Sequence, residues 1–472
     1  MNNTVILKKL PENNRGYGNQ RQIDQAVGEG LRNFFQQVYG KKIEECIKSN
    51  DTVVLKPNFV AEMNFNVSRD KQEMEHPNDC FITNIAVIKG ILKELNKIKD
   101  LKVMIAESPM QFCRMDEILT EEFWKEMQEV YQGEIEFVDL RRTIMDLTKK
   151  PVEVQTGLRG MEHYVDFDLK QDSMHQKKIK YVRRFRVTDY PPREMHKFHT
   201  KEKHVYRIAR ELIEAQWIIN VPKLKTHMKA GMTGAMKNFV GVVGNKECLP
   251  HHIKGSPLTG GDCHKDVSIV KFLSENLLDG ANTLIGTHKY LYYPLWLCAH
   301  GLVAVRSRFT KEKDLAGAWY GNDTIWRTVH DLNVCLYYGR SDGSLADSPQ
   351  REIITITDAV VSGEKEGPMN PWPKYLNAIV IGNSTFCVDM VNAALMRFDG
   401  KFLFHYQEVK GDKKYPLFDG ESPLKVYGDN QKRLTLKEIG QTEALYHEAA
   451  KGWQEKLNRS VWQSKGNSEK YF

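Results

Sequence analysis

Short apolar runs alternate with amphipathic segments along the first part of the chain. The amphipathic segments repeat their apolar positions at helical spacing, and the apolar runs have the length of buried strands. Helices are predicted at about 19–39, 84–98 and 115–131, and strands at 53–55, 103–106 and 135–138. Strands and helices that alternate in this order form right-handed βαβ units. We therefore predict an α/β fold, with a mostly parallel sheet flanked by helices.

Three strand-like runs at 152–154, 163–169 and 179–187 interrupt this alternation. We interpret them as an antiparallel excursion near 150–200, because they follow one another without intervening helices. The chain then divides into an N-terminal α/β part (1–150), an antiparallel basic insertion (151–203), a C-terminal α/β part with the central motif (204–400) and a helical or irregular tail (401–472).

The stretch from 218 to 244 holds the strongest candidate site. A buried apolar run ends at Pro222, and Lys223, Lys225 and His227 then stand at every second position. Alternate side chains of an extended segment share one face. The spacing therefore predicts a cationic strand end.

A turn containing glycine follows, and Thr233 stands where it would cap a short helix carrying Lys237 and Asn238. Free backbone N–H groups and the helix dipole favour an anion at such a terminus. Lys56 and Asn58 follow another predicted strand. Because ligands of parallel sheets bind beyond the carboxyl ends of the strands, we expect these residues to contribute to one pocket.

Three carboxylates are candidates for a divalent metal ion such as Mg²⁺. Asp358 interrupts an apolar strand predicted at 353–361, where an unpaired carboxylate is costly. Glu366 lies in the acidic turn that follows, and Asp389 lies in a predicted helix. A cation held by these oxygens would bridge to the anion. A loop-rich segment carries further metal candidates whose spacing fits no established zinc pattern: His251, His252, Cys263 and His264.

Several segments resemble the family called domain of unknown function 362. They are VPKLKTH and AGMTGAMKNFVG in the centre, TDAVVSGEKEGPMNP and STFCVDMVNAALMRFDG further on, and DTVVLKPNFV near the start. The resemblance runs from about 51 to 400 and implies a shared fold and site, but no defined reaction. Some members carry an added iron–sulfur segment. None of the eight cysteines here forms a C-x-x-C pair, so we expect no iron–sulfur cluster.

A run reading GNDTIWR places charged side chains within helical reach of one another. Asp323 and Asp331 each stand four residues from Arg327. A subgroup of the resembled family shares this run, and a substrate-positioning cluster explains it as well as a structural salt-bridge network does.

The predicted site residues are therefore His227, Lys223 and Asp331 for catalysis, Lys225, Lys237, Asn238, Lys56, Asn58, Arg327 and Asp323 for substrate binding, and Asp358, Glu366 and Asp389 for the metal.

His227 is the best candidate for proton transfer because the unperturbed pKa of histidine lies near neutrality. It could equally serve as a metal ligand or as a buried hydrogen-bonding residue.

The positive charge is local. The chain carries a net charge of +7, and the segment 170–211 alone holds thirteen Lys and Arg against five Asp and Glu. Such a patch suits an anionic substrate, a lipid surface or nucleic acid, and a solvated charged face explains it equally well. Nucleic acid ranks last, because no recognised binding motif accompanies the patch.

The segment 290–305 contains no Asp, Glu, Lys or Arg. It is too short and too broken to span a membrane. A helix lying on a membrane face is one interpretation, and an apolar lid or a dimer contact is the favoured alternative.

The sequence predicts an enzyme that binds a small anionic molecule through its phosphate or carboxylate, with an unknown reaction. The alternative is a non-catalytic binding or assembly protein that acts at a membrane surface or partner through its basic patch. Scattered cysteines and the absence of a signal-peptide pattern predict a cytoplasmic location. The oligomeric state is not predicted.

Overall fold

The computed structural model describes residues 1–11, 14–65, 76–149, 153–285, 288–310, 316–403 and 406–458. The first residue of the predicted strand 152–154 and the last part of the predicted tail, 459–472, lie outside these ranges.

Seventeen strands are described. They are β1 (Thr4–Lys9), β2 (Thr52–Lys56), β3 (Lys102–Glu107), β4 (Ile135–Asp139), β5 (Thr143–Asp146), β6 (Glu153–Thr156), β7 (Tyr164–Asp168), β8 (Phe185–Arg186), β9 (Val205–Ala209), β10 (Trp217–Asn220), β11 (Lys223–His227), β12 (Gly231–Thr233), β13 (His252–Ile253), β14 (Glu352–Glu366), β15 (Asn370–Gly382), β16 (Lys425–Tyr427) and β17 (Arg433–Leu434).

Within the described residues, the α-helices vary in length from a single turn to 22 residues. They are α1 (Gln20–Tyr39), α2 (Ile43–Cys46), α3 (Ile85–Leu95), α4 (Glu121–Val130), α5 (Pro192–Phe198), α6 (Arg210–Glu214), α7 (Ile269–Leu284), α8 (Lys289–Thr310), α9 (Ile325–Tyr338), α10 (Thr385–Leu395), α11 (Tyr406–Gly411), α12 (Leu436–Glu438) and α13 (Gln454–Leu457).

One large mixed sheet organises the molecule. Its strand order is β17-β16-β1-β15-β14-β10-β2-β3-β4, and β11 and β12 extend it from β14. Pairing is parallel from β14 through β10, β2 and β3 to β4, and β11 also runs parallel to β14. The antiparallel pairs are β14 with β15, β15 with β1, β16 with β17 and β11 with β12. The predicted α/β fold with a mostly parallel sheet is therefore confirmed.

Helices cover both faces of the sheet because the strand side chains alternate between two apolar clusters. Val53 and Leu55 face the cluster that contains α1 and α3. Val54 and Ile218 face the opposite cluster, which contains α9 and α10. The result is a three-layer arrangement in which the carboxyl ends of the parallel strands meet at one edge.

The antiparallel excursion is also confirmed, although its elements differ from the predicted ones. β5 pairs with β6, β7 with β9, and β8 with β13, each antiparallel. The predicted strand 179–187 is short, because 3₁₀-helical turns occupy Met174–Arg184. Two side-chain hydrogen bonds stabilise the start of these turns. Ser173 Oγ accepts the His175 N–H, and the Asp331 carboxylate accepts the Met174 N–H.

The segment 290–305 lies in α8, which packs along α7 as a helical hairpin. Within the residues that the structure describes, none of the helices combines the length and the apolar character that a membrane crossing requires.

Candidate functional site

A cavity of about 370 Å³ opens where β2, β3 and β11 end. Its wall is built from 58–60, 107–112, 187–190, 227–229, residues 233, 237, 238, 240, 241, 246, 251 and 316, and 368–369. The carboxyl ends of parallel strands supply several of these segments, as the rule for α/β sheets predicts. Of the predicted site residues, four line this cavity: Asn58, His227, Lys237 and Asn238.

Much of the cavity wall is apolar. Phe59, Phe112, Val187, Met228 and Met369 contribute to it. Such a wall suits the body of an organic molecule, whereas the polar groups described below are few and fixed in position.

Three lysines line the cavity, and they differ in how their ammonium groups are held. Lys229 Nζ donates to Thr188 Oγ1 at 2.8 Å, and Lys246 Nζ donates to the Val240 carbonyl at 2.7 Å. The Lys237 side chain is 9 % exposed and makes no hydrogen bond or ion pair with any residue that the structure describes. Lys237 is therefore the cation of this wall that is free to bind a ligand.

Burial lowers the pKa of all three lysines, because the interior disfavours the charged form. The pKa of Lys229 is about 8, and that of Lys246 is about 7. The pKa of Lys237 falls to about 7 through burial and through the nearby charge of Lys229. Near neutral pH these amines are poised between their charged and neutral forms.

Two histidines of the wall have defined tautomers. His227 Nδ1 accepts the backbone N–H groups of Lys229 at 3.0 Å and Ala230 at 3.2 Å, so the proton of its neutral ring is on Nε2. His251 Nδ1 donates to the Leu249 carbonyl at 2.7 Å, so its Nε2 carries a lone pair. Burial, and then nearby lysines, lower the pKa of both rings, which keeps them neutral.

An asparagine network forms the polar end of the cavity. Asn238 Nδ2 donates to Asn220 Oδ1 at 2.8 Å and to the Lys56 carbonyl at 3.1 Å, and Asn58 Nδ2 donates to Asn238 Oδ1 at 2.9 Å. Among the described residues, Asn58 Oδ1 and Thr233 Oγ1 are buried without a hydrogen-bond partner. The predicted cap role of Thr233 is wrong, because the carboxylate of Asp389 accepts the N–H groups at the start of this segment.

Lys56 lies behind the cavity wall. Its Nζ is 2.8 Å from Glu107 Oε2, and both side chains are almost fully buried. Glu107 also accepts the N–H groups of Phe59 and Ser108, at 3.0 and 2.9 Å. Burial lowers the pKa of Lys56, although Glu107 opposes that shift. The pair fixes the ends of β2 and β3 beside the cavity.

Lys223 lies in a second buried network. Its Nζ is 2.6 Å from Asp358 Oδ2 and donates to the Tyr17 hydroxyl at 2.6 Å, while Tyr17 donates to Asp358 Oδ1 at 2.5 Å. The Asn84 N–H also donates to Asp358 Oδ2, at 3.0 Å. Lys223, predicted for catalysis, and Asp358, predicted to bind the metal, are therefore in contact, but each already has the other as its partner.

Lys225 lies in β11, which pairs with β14, and its side chain is fully buried. Its Nζ donates to the Phe81 carbonyl and lies 4.6 Å from the centroid of the Phe81 ring. Burial lowers the pKa of this lysine well below the usual value.

Arg327, Asp323 and Asp331 lie in an internal network that joins α9 to the basic insertion. Arg327 Nη2 donates to both carboxylate oxygens of Asp323, at 2.9 and 3.0 Å, and Arg327 Nη1 donates to the Met174 carbonyl. Asp331 accepts the hydroxyl protons of Ser173 and Tyr206, at 2.5 and 2.9 Å.

The three predicted metal ligands have separate partners. Asp358 pairs with Lys223, Asp389 accepts backbone N–H groups at 2.7 and 2.9 Å, and Glu366 Oε1 accepts the Lys451 N–H at 3.0 Å. Throughout the described ranges, no group of three or more His, Cys, Asp or Glu side chains is placed to hold a metal ion. These residues therefore do not fit a metal site built from protein ligands alone, and the predicted metal stays a prediction.

Sequence reasoning missed two lysines and gave His251 a different role. Lys229 continues the alternation of Lys223, Lys225 and His227, which is the signal that could have found it. Lys246 lies in a 3₁₀ turn and His251 in a loop, and neither carries a comparable pattern.

The central part of this site lies within a segment shared with other proteins. Residues 174–394 match the family model described as Domain of unknown function (DUF362). The resemblance to DUF362 is thereby confirmed over that segment. The DUF362 segment contains the cavity residues His227, Lys237 and Asn238, whereas Asn58 precedes it.

A crystal structure of a Thermotoga maritima protein from the Northeast Structural Genomics Consortium is similar at 11% identity with a TM-score of 0.34. The alignment covers 79% of this chain and 57% of that chain, so the chain spans little more than half of the other protein's length. No curated protein matches the chain.

Proposed function

We propose that this protein is an enzyme that binds a small anionic molecule in the cavity bounded by β2, β3 and β11. The observation that carries the proposal is the Lys237 amine, which lies inside the cavity without a partner among the described residues. Lys229 and Lys246 supply two further cationic groups to the same space. A carboxylate or phosphate would pair with these groups and raise their pKa values back toward the charged form.

The remaining wall supports a ligand with an apolar body. Apolar side chains make up much of it, and Asn58 Oδ1 and Thr233 Oγ1 offer acceptors that have no described partner. Proton transfer is supported by His227, whose Nε2–H is a donor, and by His251, whose Nε2 is an acceptor.

Titration calorimetry of the full chain with inorganic phosphate and phenyl phosphate tests this proposal. We expect both anions to bind and phenyl phosphate to bind more tightly, because its ring meets the apolar wall. Lys237→Met should weaken binding about 10-fold or more, since a hydrogen bond to a charged group contributes about 1.5–3 kcal/mol.

The matched control is Lys180→Met, which removes an exposed lysine of the basic insertion. It should leave the affinity within about threefold, the range of a surface charge. The proposal fails if neither anion binds the wild-type protein, or if the two variants weaken binding equally.

We propose peripheral contact with an anionic membrane as a second candidate function, supported by the exposed apolar surface of the α7–α8 hairpin. Tyr290 is 87 % exposed, Ile269 77 % and Leu297 60 %. The basic insertion contacts α7, because Arg186 pairs with Asp279 of that helix at 2.8 Å, and Arg183 of the same insertion is exposed. Apolar surface next to cations is the combination that binds an anionic lipid surface.

Co-sedimentation with phosphatidylcholine vesicles, with and without phosphatidylserine, tests the membrane proposal. We expect binding that requires phosphatidylserine and is lost on combining Tyr290→Ser with Leu297→Ser. Sedimentation velocity that shows the same double variant abolishing self-association, without any vesicle binding, would assign the surface to a second copy instead.

The proposed location is cytoplasmic. It is supported by the eight cysteines, all of which are free thiols and six of which are buried.

A further inference from the structure

Lys237 differs from its neighbours in a way that bears on chemistry. Lys225, Lys229 and Lys246 each donate to an oxygen of the protein, whereas Lys237 has no such partner within the described ranges. Its amine is enclosed by the cavity, and the charge of Lys229 favours its neutral form. A desolvated lysine beside another cation is the arrangement that makes an amine nucleophilic.

The groups needed for a carbonyl addition are in the same cavity. His227 Nε2–H is a proton donor, and His251 Nε2 is a proton acceptor. Both rings are close enough to Lys237 for its charge to lower their pKa values. The amines of Lys229 and Lys246 each donate one hydrogen bond to the protein, and their other donors can bind an anionic group on the same ligand.

We propose that Lys237 forms an imine with an oxo acid, a molecule that carries both a ketone and a carboxylate. This inference rests on the proposed anion binding and adds the substrate class. Lys229 and Lys246 would bind the carboxylate, and Lys237 would attack the ketone.

The step balances without a further reactant. The lone pair of the neutral Lys237 amine forms a bond to the carbonyl carbon, and the electron pair of the broken C–O π bond passes to oxygen. His227 Nε2–H protonates that oxygen, while His251 Nε2 accepts a proton from nitrogen. The nitrogen lone pair then expels the hydroxyl group, which leaves as water when His251 Nε2 passes to it the proton taken from nitrogen. His227 Nε2 recovers the last N–H proton of the resulting iminium, so amine and ketone become imine and water, and both rings regain their starting forms.

Reductive trapping of the full chain tests the imine. The protein is incubated with pyruvate, a 2-oxo acid, or acetoacetate, a 3-oxo acid, in the presence of sodium cyanoborohydride. We expect a mass increase of one reduced probe molecule, located at Lys237 by peptide mass spectrometry, and the probe that reacts faster identifies the position of the ketone. Adduct on any other lysine as the main product overturns the proposal.

Two variants and one matched ligand separate this inference from the proposed function. Lys237→Arg keeps the positive charge but cannot form an imine, so trapping should fall at least 20-fold while the affinity for lactate changes less than threefold. Lys180→Arg, which changes an exposed lysine outside the cavity, should still be trapped at Lys237. Lactate lacks the ketone, so lactate binding without trapping of either oxo acid refutes the imine and leaves anion binding intact. Absence of lactate, phosphate and oxo-acid binding refutes both.

Discussion

At the scale of the residue, lysine side chains have two different roles within the segment 223–237. Lys223 is buried against Asp358 and Tyr17, where it contributes to the fold. Lys237 faces the cavity without a partner in the described part of the chain. A buried charge with a close partner is a structural element, whereas an enclosed amine without one costs free energy that a ligand can recover.

The Lys223–Asp358 pair yields a prediction about stability. Both side chains are fully buried, so Lys223→Met leaves an unpaired carboxylate and should lower the free energy of unfolding by about 3–5 kcal/mol. Combining Lys223→Met with Asp358→Leu should cost clearly less than the single change, because no charge is left behind. Urea unfolding measures both. Equal losses for the single and double variants would show that the pair is not energetically coupled.

The cavity lysines predict how anion binding depends on pH. Lys237 and Lys246 are protonated below their pKa values of about 7, and Lys229 is protonated below about 8. Binding needs the charged form, so affinity should be highest below about pH 7 and fall as the pH rises, by at most about tenfold per pH unit for each proton required. The titratable groups that interact with Lys237 are Lys225, His227, Lys229, Lys246 and His251, and the same cavity wall also holds Glu107, Asp189 and Tyr190.

Sulfate is the appropriate ligand for this titration, because it does not itself titrate in that range. Calorimetry from about pH 6 to about pH 9 should show a steady loss of affinity that Lys237→Met flattens. Affinity that stays constant or rises with pH would contradict the assignment of these amines.

Residue-level reasoning could not say which residues of the central motif reach the cavity. Alternation predicted that Lys223, Lys225 and His227 share one face, but all five residues of β11 are buried, and the three side chains have different surroundings. Pairing with β14 contributes to this difference, because the register shifts between Lys223 and Lys225. His227, at the end of β11, therefore reaches the cavity while the two lysines do not.

At the scale of the element, the segment after β12 is held by a distant helix. Asp389 of α10 accepts the N–H groups of Ala235 and Met236, and Gly234 allows the close approach, since a Cβ there would lie 2.1 Å from Asp389 Oδ1. Sequence alone suggested a local cap from Thr233. It could not reveal a carboxylate that lies more than 150 residues away.

Asp389 should therefore act as a positioning residue for Lys237. Asp389→Ala removes the acceptor of two buried N–H groups, which should lower the free energy of unfolding by about 1–3 kcal/mol and weaken phosphate binding. Asp389→Asn keeps one acceptor oxygen and should retain most of the affinity. Chemical denaturation and calorimetry on both variants provide the test, and undiminished phosphate binding by Asp389→Ala would refute this role.

At the scale of the whole molecule, the fold followed from the pattern of apolar runs, since strands that alternate with helices must form parallel pairs. β10 lies between β2 and β14, so strands of the predicted parts 1–150 and 204–400 share one sheet. Their carboxyl ends bring Asn58, His227 and Lys237 to one cavity. Ser173 contacts Asp331 and Met174 contacts Arg327 from the basic insertion, whose turns have no apolar period from which their position could be predicted.

The central claim is that an anion binds in this cavity and not on the basic insertion. A crystal of the full chain soaked with selenate, which scatters anomalously, tests it most directly. We predict one strong anomalous peak within hydrogen-bond distance of Lys237 Nζ. Peaks confined to the exposed lysines and arginines of 177–184, with no peak in the cavity, would contradict the claim.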